Sequence, residues 1–408
     1  MTDNDLYEID IDTMAYGGSG LGRHEKRVVF VPYTIPGETV TVRVREARGR
    51  VAFAEGVTLL AASADRVTPE CPHFGMRRCG GCHWQHIDTV VQPLLKQDVL
   101  ADQLERVGGF KDADVRSIIA PSAAWAYNHR MTWTIGAHGE LGFPGADGGV
   151  MPIEVCEVAH PALLELYHTL DIATDALASV ELVRGGDGAL MVVLSAAEEE
   201  APSLEIDVPA SINLLLPDGA PVNLAGQTHV SYSVLGRDFR VTAGSAFRAN
   251  VDALPLLVEA VLDALDSAQT VIDVYAGVGL FGAFAAEAAD YVSLVEPYPP
   301  AATDADANTA DLEHVDLVEG TAEEVLPAAE DYAAAIVNPP AEGLSTEALD
   351  ALAELGPPVV VYVSNDVATF CRDAKRLAKN HGYTLDYAQP IDLAPQTYET
   401  EIVARFVR

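Results

Sequence analysis

Across residues 1–60 apolar and polar positions alternate two by two, in LYEIDI, RVVFVPYTI, TVTVRVREA and RVAFAEGVTLL. Such alternation predicts half-buried strands. The turns between them, Tyr16-Gly17-Gly18-Ser19-Gly20-Leu21-Gly22-Arg23 and Pro36-Gly37-Glu38, complete the pattern of a small β-barrel. Over residues 87–111 the apolar spacing becomes helical and stops at glycine. Residues 112–245 return to β character, with ALMVVLSA and VNLAGQTHVSYSVLG as its clearest strands. Ala246–Leu265 reads as helix, and strands then alternate with helices to the end of the chain, the pattern of a doubly wound α/β sheet. The expected fold is therefore α/β with β, in three domains: a barrel over 1–60, a β-rich unit over 61–245 and an α/β unit over 246–408.

The stretch Val271–Ala286, VIDVYAGVGLFGAFAA, organises the last of these. A short apolar strand with one carboxylate runs into a glycine turn and then an Ala-rich helix. Glycine there lets the backbone pass close to a ligand, and the helix start offers unpaired N–H groups. About twenty residues on, the strand Tyr291–Glu296 ends in an acid, the position that holds a ribose diol in doubly wound folds. Asp273-x-Tyr275-x-Gly277-x-Gly279 with Glu296 thus predicts a nucleoside-cofactor site. The expectation of S-adenosylmethionine rather than NAD rests on reading the dinucleotide pattern GxGxxG as incomplete. The competing reading is an ordinary strand–turn–helix of a parallel sheet.

Charge narrows the partners. The formal net charge is −36, with 61 acidic and 25 basic residues. This argues against a broadly basic RNA-binding surface but not against a local one. Basic residues concentrate in the first third, and Arg23, Arg43, Arg45, Arg48 and Arg50 are positioned to share a phosphate-contacting face of the barrel; a solvated barrel surface is the plainer reading. The acidic composition also suits a salt-rich cytoplasm. No run has the apolar length of a membrane span, and MTDNDLYEID lacks the features of a signal peptide, so a cytoplasmic protein without a membrane partner is expected. The oligomeric state stays open, with a monomer as the working expectation.

Of five cysteines, three form Cys71-x7-Cys79-Gly-Gly-Cys82, and Cys156 follows in VMPIEVCEVAH. The glycine pair lets two thiolates bend onto one centre, and four thiolates suit either zinc or an iron–sulfur cluster. Isolated buried cysteines are the alternative, and a disulfide framework does not suit a cytosolic chain. His73, His83 and His86 lie nearby and are read as supporting or surface residues rather than ligands. Spacing alone does not separate the two metals.

Taken together these pieces resemble the RNA uracil carbon-5 methyltransferases of ribosomal and transfer RNA, over nearly the whole chain. The residues at 1–60, with their glycine run before Arg23 and PGE turn, look like a TRAM domain, an RNA-binding module. CGGC followed by WQH, Tyr127, GELGF and a later lone cysteine resemble the members that carry a [4Fe–4S] cluster, which the resemblance would place on Cys71, Cys79, Cys82 and Cys156. It also implies S-adenosylmethionine as cofactor, with Tyr275, Gly277, Gly279 and Glu296 on the cofactor positions. Leu280, Arg248 and Asn338 are also expected to bind the cofactor, and Asn308 falls where the family has an asparagine opening the next segment.

The departures fall on the chemistry. The family adds a cysteine thiolate to carbon 6 of uracil so that carbon 5 attacks the methyl group, and a carboxylate-linked base then removes the proton. Its Ser-Cys-Asn-Pro-x-Thr is here Ser364-Asn365-Asp366-Val367-Ala368-Thr369, so Asn365 takes the nucleophile position. A neutral amide does not perform that addition. Cys371, six residues on, reads as a small buried helix residue. The family's Asp-Pro-Pro-Arg is Asn338-Pro339-Pro340-Ala341, its Phe-x-Gln-x-Asn is Phe247-Arg248-Ala249 flanked by Ala246 and Asn250, and the asparagine closing the glycine loop is Leu280. Glu401 keeps the base position, but its histidine neighbour is Glu399, and two close carboxylates raise one pKa.

Three functions compete on these residues. One is a working RNA methyltransferase of the 23S rRNA/tRNA uracil-5 type. A second is a catalytically inactive or retargeted homologue that binds RNA and cofactor, favoured by the concerted changes at Asn365, Asn338, Ala341 and Arg248. A third is transfer to an exocyclic amine, suggested by Asn-Pro-Pro and opposed by Ala341 in place of an aromatic. Electron transfer by the cluster finds no partner redox centre in the sequence.

Overall fold

The computed structural model describes residues 6–145, 148–198 and 209–408. The remaining positions of the expected barrel and β-rich unit lie outside the described residues.

The alternation at the start of the chain becomes a closed barrel of β1 (Leu6–Met14), β2 (Gly20–His24), β3 (Arg27–Val31), β4 (Thr39–Arg48) and β5 (Val51–Ala61), ordered β1-β2-β3-β5-β4. Ile9, Ile11, Val29, Val31, Val40, Val42 and Val44 fill its interior. A barrel closes because every alternate side chain then leaves water while no strand edge stays unpaired.

The helical spacing after the cysteines gives α1 (Gln92–Gln103), which Pro93 starts, continued by a wider turn and stopped at Gly109 in the left-handed conformation, φ 79°. The β-rich middle contains β6 (Arg130–Ile135), β7 (Leu141–Pro144), β8 (Val150–Met151), α2 (Pro161–Thr169), β9 (Leu177–Arg184), β10 (Leu190–Ala196), β11 (Ala210–Leu215) and β12 (Pro221–Ala225). These strands make a seven-stranded sheet ordered β12-β11-β10-β9-β6-β7-β8. A separate hairpin, β13 (His229–Val234) with β14 (Arg237–Thr242), leads to α3 (Leu254–Leu265). The helix expected from Ala246 therefore begins eight residues later. Ala246–Asn250 is not helical, and a single 3-10 turn, Val251–Ala253, precedes α3. Pro255 sets that start, since proline is tolerated only in a helix's first turn.

The C-terminal unit comprises β15 (Thr270–Val274), α4 (Leu280–Ala285), β16 (Tyr291–Glu296), α5 (Pro299–Thr309), β17 (Val315–Glu319), α6 (Ala322–Val325), β18 (Ala334–Val337), α7 (Thr346–Leu355), β19 (Val359–Ser364), α8 (Val367–His381), β20 (Thr384–Ile391) and β21 (Glu401–Val407). Its sheet is ordered β17-β16-β15-β18-β19-β21-β20, parallel except for β21, which runs against both neighbours. Runs such as VVVYVS are apolar throughout because helices cover both faces. Strand order reverses between β15 and β18, and the crevice at the carboxyl ends of those strands is where ligands enter such sheets. Residues 112–119 also join this unit: Val115 bridges to Ala388 and Ile119 to Ile391. Among the described residues no helix is long and apolar enough to cross a membrane.

The loop between β20 and β21 receives a contact from every other part of the chain. Lys96 of α1, with a side chain 0% exposed, donates to Asp392 Oδ1 at 2.6 Å and to the Ala394 carbonyl at 2.9 Å. Asn250 donates to the Leu393 carbonyl and Tyr127 to the Pro395 carbonyl. Gln396, held at φ 71°, exchanges hydrogen bonds with Gln92, and its carbonyl accepts from the His83 and Trp84 N–H groups. Tyr398 packs edge-on against Tyr16 of the barrel, whose hydroxyl bonds Asp366.

Removing one partner of a buried ion pair leaves the other charge uncompensated. Lys96→Met is expected to lower the unfolding free energy by roughly 3–5 kcal/mol. A denaturant midpoint unchanged from wild type would show that Asp392 is hydrated in the folded protein.

Candidate active site

The glycine turn is built by one strained residue and two permissive ones. Tyr275 leaves β15 at φ 61°, where a side chain is disfavoured, and Gly277 and Gly279 follow at φ 58° and φ 82°. Glu296, the last residue of β16 and 7% exposed, accepts from Gly277 N–H on Oε2 and from Tyr298 N–H on Oε1, both at 2.8 Å. Burial raises its pKa, and those two N–H groups oppose the rise. A carboxylate has lone pairs beyond these two bonds, so Glu296 retains acceptor capacity. Asn308 anchors the turn from α5, donating to the Val278 carbonyl at 2.9 Å and pairing with the Arg240 backbone.

The sequence argument against a dinucleotide fails at one residue. Gly277-Val278-Gly279-Leu280-Phe281-Gly282 is a complete GxGxxG spacing. A Cβ on Gly282 would meet Leu294 Cδ2 at 2.1 Å, so this glycine lets α4 press against β16. Its N–H donates at 2.9 Å to Asp273 Oδ2. Asp273 is 0% exposed, and burial pushes its carboxyl up to about 7. Leu280 is buried in the core cluster of this unit and offers no polar atom.

A cavity of about 650 Å³ opens beside the turn. Arg248, Asn365, Glu399, Glu401 and all four of Cys71, Cys79, Cys82 and Cys156 line it. Gly277 and Tyr275 lie behind its wall: the ideal Cβ of Gly277 is 4.0 Å from the carbonyl of Ala246, a lining residue. Arg248 forms its hydrogen bonds away from the glycine turn. Its Nη2 donates to Glu401 Oε1 at 2.5 Å and to Asn338 Oδ1 at 3.0 Å, and its Nε reaches both Glu401 oxygens at 3.2 Å. Both Glu401 oxygens therefore accept from Arg248, and its side chain is only 4% exposed. Glu399 is exposed where it opens onto the cavity, and desolvation by the surrounding protein raises its pKa; Lys96 opposes the rise and Glu401 adds to it. Asn365 is exposed at the end of β19, next to Asp366, which caps α8 by accepting from Thr369 N–H. Cys371 lies inside α8, 0% exposed, its thiol pushed up to about 12 by burial.

The four thiols converge although 74 residues of chain separate Cys82 from Cys156. Gly81 N–H points at Cys79 Sγ at 3.4 Å, Gln85 at the Cys82 sulfur, and the Val158 and Ala159 N–H groups at Cys156. Burial raises the Cys79, Cys82 and Cys156 thiols, Cys82 to about 12 and Cys156 to about 11, and neighbouring sulfurs add to the rise. Thiols with N–H donors aimed at sulfur have the donor chemistry of a thiolate-bound metal group, but their present spacing does not close a metal site. Among the described residues no three His, Cys, Asp or Glu side chains form a tight site for a metal ion. His83 stacks on Tyr398 at 4.6 Å and His86 on Phe74 at 5.7 Å, so both histidines pack rather than reach the thiols.

Two supports of the site were not legible in the sequence. Arg130 pairs with Glu181 at 3.0 Å and donates to the Ser245 carbonyl, fixing the strand that leads to Arg248. Asp304, fully buried on α5, accepts from the Thr242 N–H and hydroxyl and from Ser245, tying the hairpin to the catalytic sheet. An acid among the alanines of α5 was the only signal for the latter.

Asp273 gives the stability a pH dependence. Its folded pKa, about 7, lies above the unfolded value, so its contribution is full below about pH 4 and is lost as pH rises through about 7. Asp273→Asn keeps an acceptor for Gly282 and has no proton to lose. Wild type is expected to lose stability relative to this variant between about pH 4 and 7 in denaturant titrations; a constant difference would place an ionised Asp273 in the folded protein.

The comparisons with known proteins agree with this architecture. The TRAM domain family matches residues 3–57. An uncharacterized RNA methyltransferase of Streptomyces avermitilis is 31% identical, covering 98% of this chain and 97% of the relative. The 23S rRNA (uracil(1939)-C(5))-methyltransferase RlmD of Azoarcus sp. is 30% identical, with 98% and 99% covered. Among solved structures, the Pyrococcus abyssi tRNA (uracil-54, C5)-methyltransferase in complex with S-adenosyl-L-homocysteine superposes with a TM-score of 0.73 at 23% identity, over 98% of this chain and 99% of that one, and shares its fold. A TRAM barrel, a β-rich middle and a doubly wound methyltransferase sheet in one chain, with relatives at this level over its whole length, place it in the RNA methyltransferase family that includes the RlmD-type enzymes.

Proposed function

We propose that this chain is an S-adenosylmethionine-dependent RNA methyltransferase that modifies a nucleobase in structured ribosomal or transfer RNA. The observation that carries the proposal is the strand–glycine turn–acid arrangement, Glu296 accepting from the Gly277 N–H, in the same unit as the residues Asn365, Glu399 and Arg248–Glu401 that line the cavity. We assign residues 1–60, 61–245 and 246–408 to the RNA-binding barrel, the cluster-bearing unit and the methyl-transfer unit.

S-adenosylmethionine supplies the electrophilic methyl group when bound. Glu296, steadied by the Gly277 and Tyr298 N–H groups, is the acceptor for its ribose hydroxyls, and Tyr275 and Gly279 shape the same turn. Cys71, Cys79, Cys82 and Cys156 are the ligands for a [4Fe–4S] cluster, which would tie the segment before α1 to the segment before α2. Arg248 donates to Glu401 and orients Asn338 through the same guanidinium. Glu399 is the carboxylate left facing the cavity to receive a proton. Asn365 can donate and accept hydrogen bonds to a base edge but supplies no nucleophile.

A second reading is favoured by two of these residues together. With an amide at position 365 and Glu401 bonded on both oxygens to Arg248, neither half of uracil carbon-5 activation is ready. The protein then holds RNA and cofactor without that chemistry, or methylates a different atom.

Protein purified without oxygen, given radiolabelled S-adenosylmethionine and unmodified total RNA, is expected to place label in a nucleoside of the RNA. Label in 5-methyluridine would require another residue to activate the base, and label in another nucleoside marks a changed target. No label, with both ligands bound, supports the second reading. Glu296→Ala is expected to weaken cofactor binding about tenfold, a loss of about 1.4 kcal/mol, and unchanged affinity by calorimetry would remove Glu296 from the cofactor site. Cys79→Ala is expected to abolish the cluster's visible absorbance; iron and sulfide at wild-type levels would overturn the four-cysteine assignment.

A further inference from the structure

The barrel displays two aromatic rings on its outside. Phe30 of β3 and Phe53 of β5 are register partners, and their rings stack with centroids 5.3 Å apart and planes at 25°. Their neighbours Val29, Val31, Ala52 and Ala54 point inward to the barrel core, so both rings stand on the outer face. Phe53 remains 42% exposed. The barrel meets the rest of the chain through the Tyr16 and Gly18 turn and through Tyr33 and Glu38, and beside the rings through Glu55, which pairs with Arg45 and with Arg77 of the cysteine loop.

Strand register also places charge beside these rings. One residue-pair step along the outer face, Val28 pairs with Val51, and this row ends in Arg23 on β2 and Arg48 on β4. The Arg50 carbonyl accepts from Val28 N–H, which sets Arg50 at the same edge. Arg48 is held by Glu46, and Arg23 and Arg50 are exposed. In a chain of net charge −36, residues 21–50 hold seven basic and three acidic residues. The face therefore joins stacked apolar rings to locally positive charge.

We propose that Phe30 and Phe53 form a stacking platform for unpaired bases of the RNA, with Arg23, Arg48 and Arg50 taking the adjacent phosphates. The inference rests on the reading of the chain as an RNA methyltransferase. It names an unpaired segment because only unpaired bases expose their flat faces to an aromatic side chain. Stacking of this kind tolerates any base, so the platform adds grip and leaves the choice of nucleotide to the cavity. Each stacked base contributes about 1–3 kcal/mol, roughly five- to 150-fold in affinity.

The test uses the full protein and a fluorescein-labelled twelve-nucleotide RNA of mixed sequence, single-stranded or annealed to its complement, followed by anisotropy. Phe30→Ala with Phe53→Ala is expected to weaken single-strand binding at least fivefold and to leave duplex binding and cofactor affinity at wild-type values. Phe53→Trp is expected to retain single-strand binding and to add a tryptophan signal that the RNA quenches. Arg23→Gln is expected to lower the salt slope of binding by about 0.7. Single-strand affinity unchanged in the double variant overturns the platform while leaving the RNA reading intact. So does an equal loss on duplex, or a loss of self-association without a loss of RNA binding. Wild-type protein that binds neither RNA, nor total ribosomal and transfer RNA, sinks the functional reading along with the platform.

Discussion

A lysine and an aspartate that water does not reach hold this molecule together. Lys96 and Asp392 are 296 residues apart, and their side chains are 0% and 3% exposed. Taking two charges out of water is expensive, and only close geometry with further hydrogen bonds offsets it. Both conditions are met, since Lys96 also donates to the Ala394 carbonyl. The pair fixes α1, which follows the cysteine loop, against the β20–β21 loop, which carries Glu399 and Glu401. Around it, Asn250, Tyr127, Gln92, His83, Trp84 and Tyr16 each add a tie to the same loop. Gln396 can sit in the left-handed region, at φ 71°, only because so many neighbours determine its place.

That keystone makes the cavity a junction. Its wall takes residues from the cysteine loop, the middle sheet, the segment before α3, the end of β19 and the β20–β21 loop. Barrel and catalytic unit also touch at its rim, where the Tyr16 hydroxyl bonds Asp366, one residue after Asn365. A shift of the barrel would therefore reach Asn365 at the cavity wall. The Arg248–Glu401–Asn338 network rigidifies the opposite wall, and a fully satisfied network of this kind holds a site in one arrangement.

The site's electrostatics follow from burial more than from net charge. Asp273 and Glu296 are neighbouring acids in the cofactor turn, and burial raises both. Glu401 differs because a guanidinium meets it directly. Asp273, Glu296, Glu399 and Glu401 thus sit in different environments within one region: two are raised by burial with backbone N–H groups on them, one faces the cavity and one is bonded by a guanidinium.

Much of this was legible in the chain itself, because local patterning dictates local structure. Alternation predicted the barrel strands to within a few residues, Tyr291–Glu296 was bounded as it stands, and the four cysteines were grouped from spacing and resemblance. The sequence also located Asn365, Glu399 and Arg248 as departures, since each substitution is visible where it occurs. Other features escaped because they depend on partners far along the chain. Helical patterning at Ala246–Asn250 lost to the demand for an extended wall beside Arg130. Gly282, miscounted as absent from the glycine pattern, shows its purpose only against Leu294. Whether Arg248 faced cofactor or carboxylate, and whether Phe30 met Phe53, was decided by tertiary structure alone. A residue's type and spacing set what it can bond, but register and burial choose which partner comes within reach.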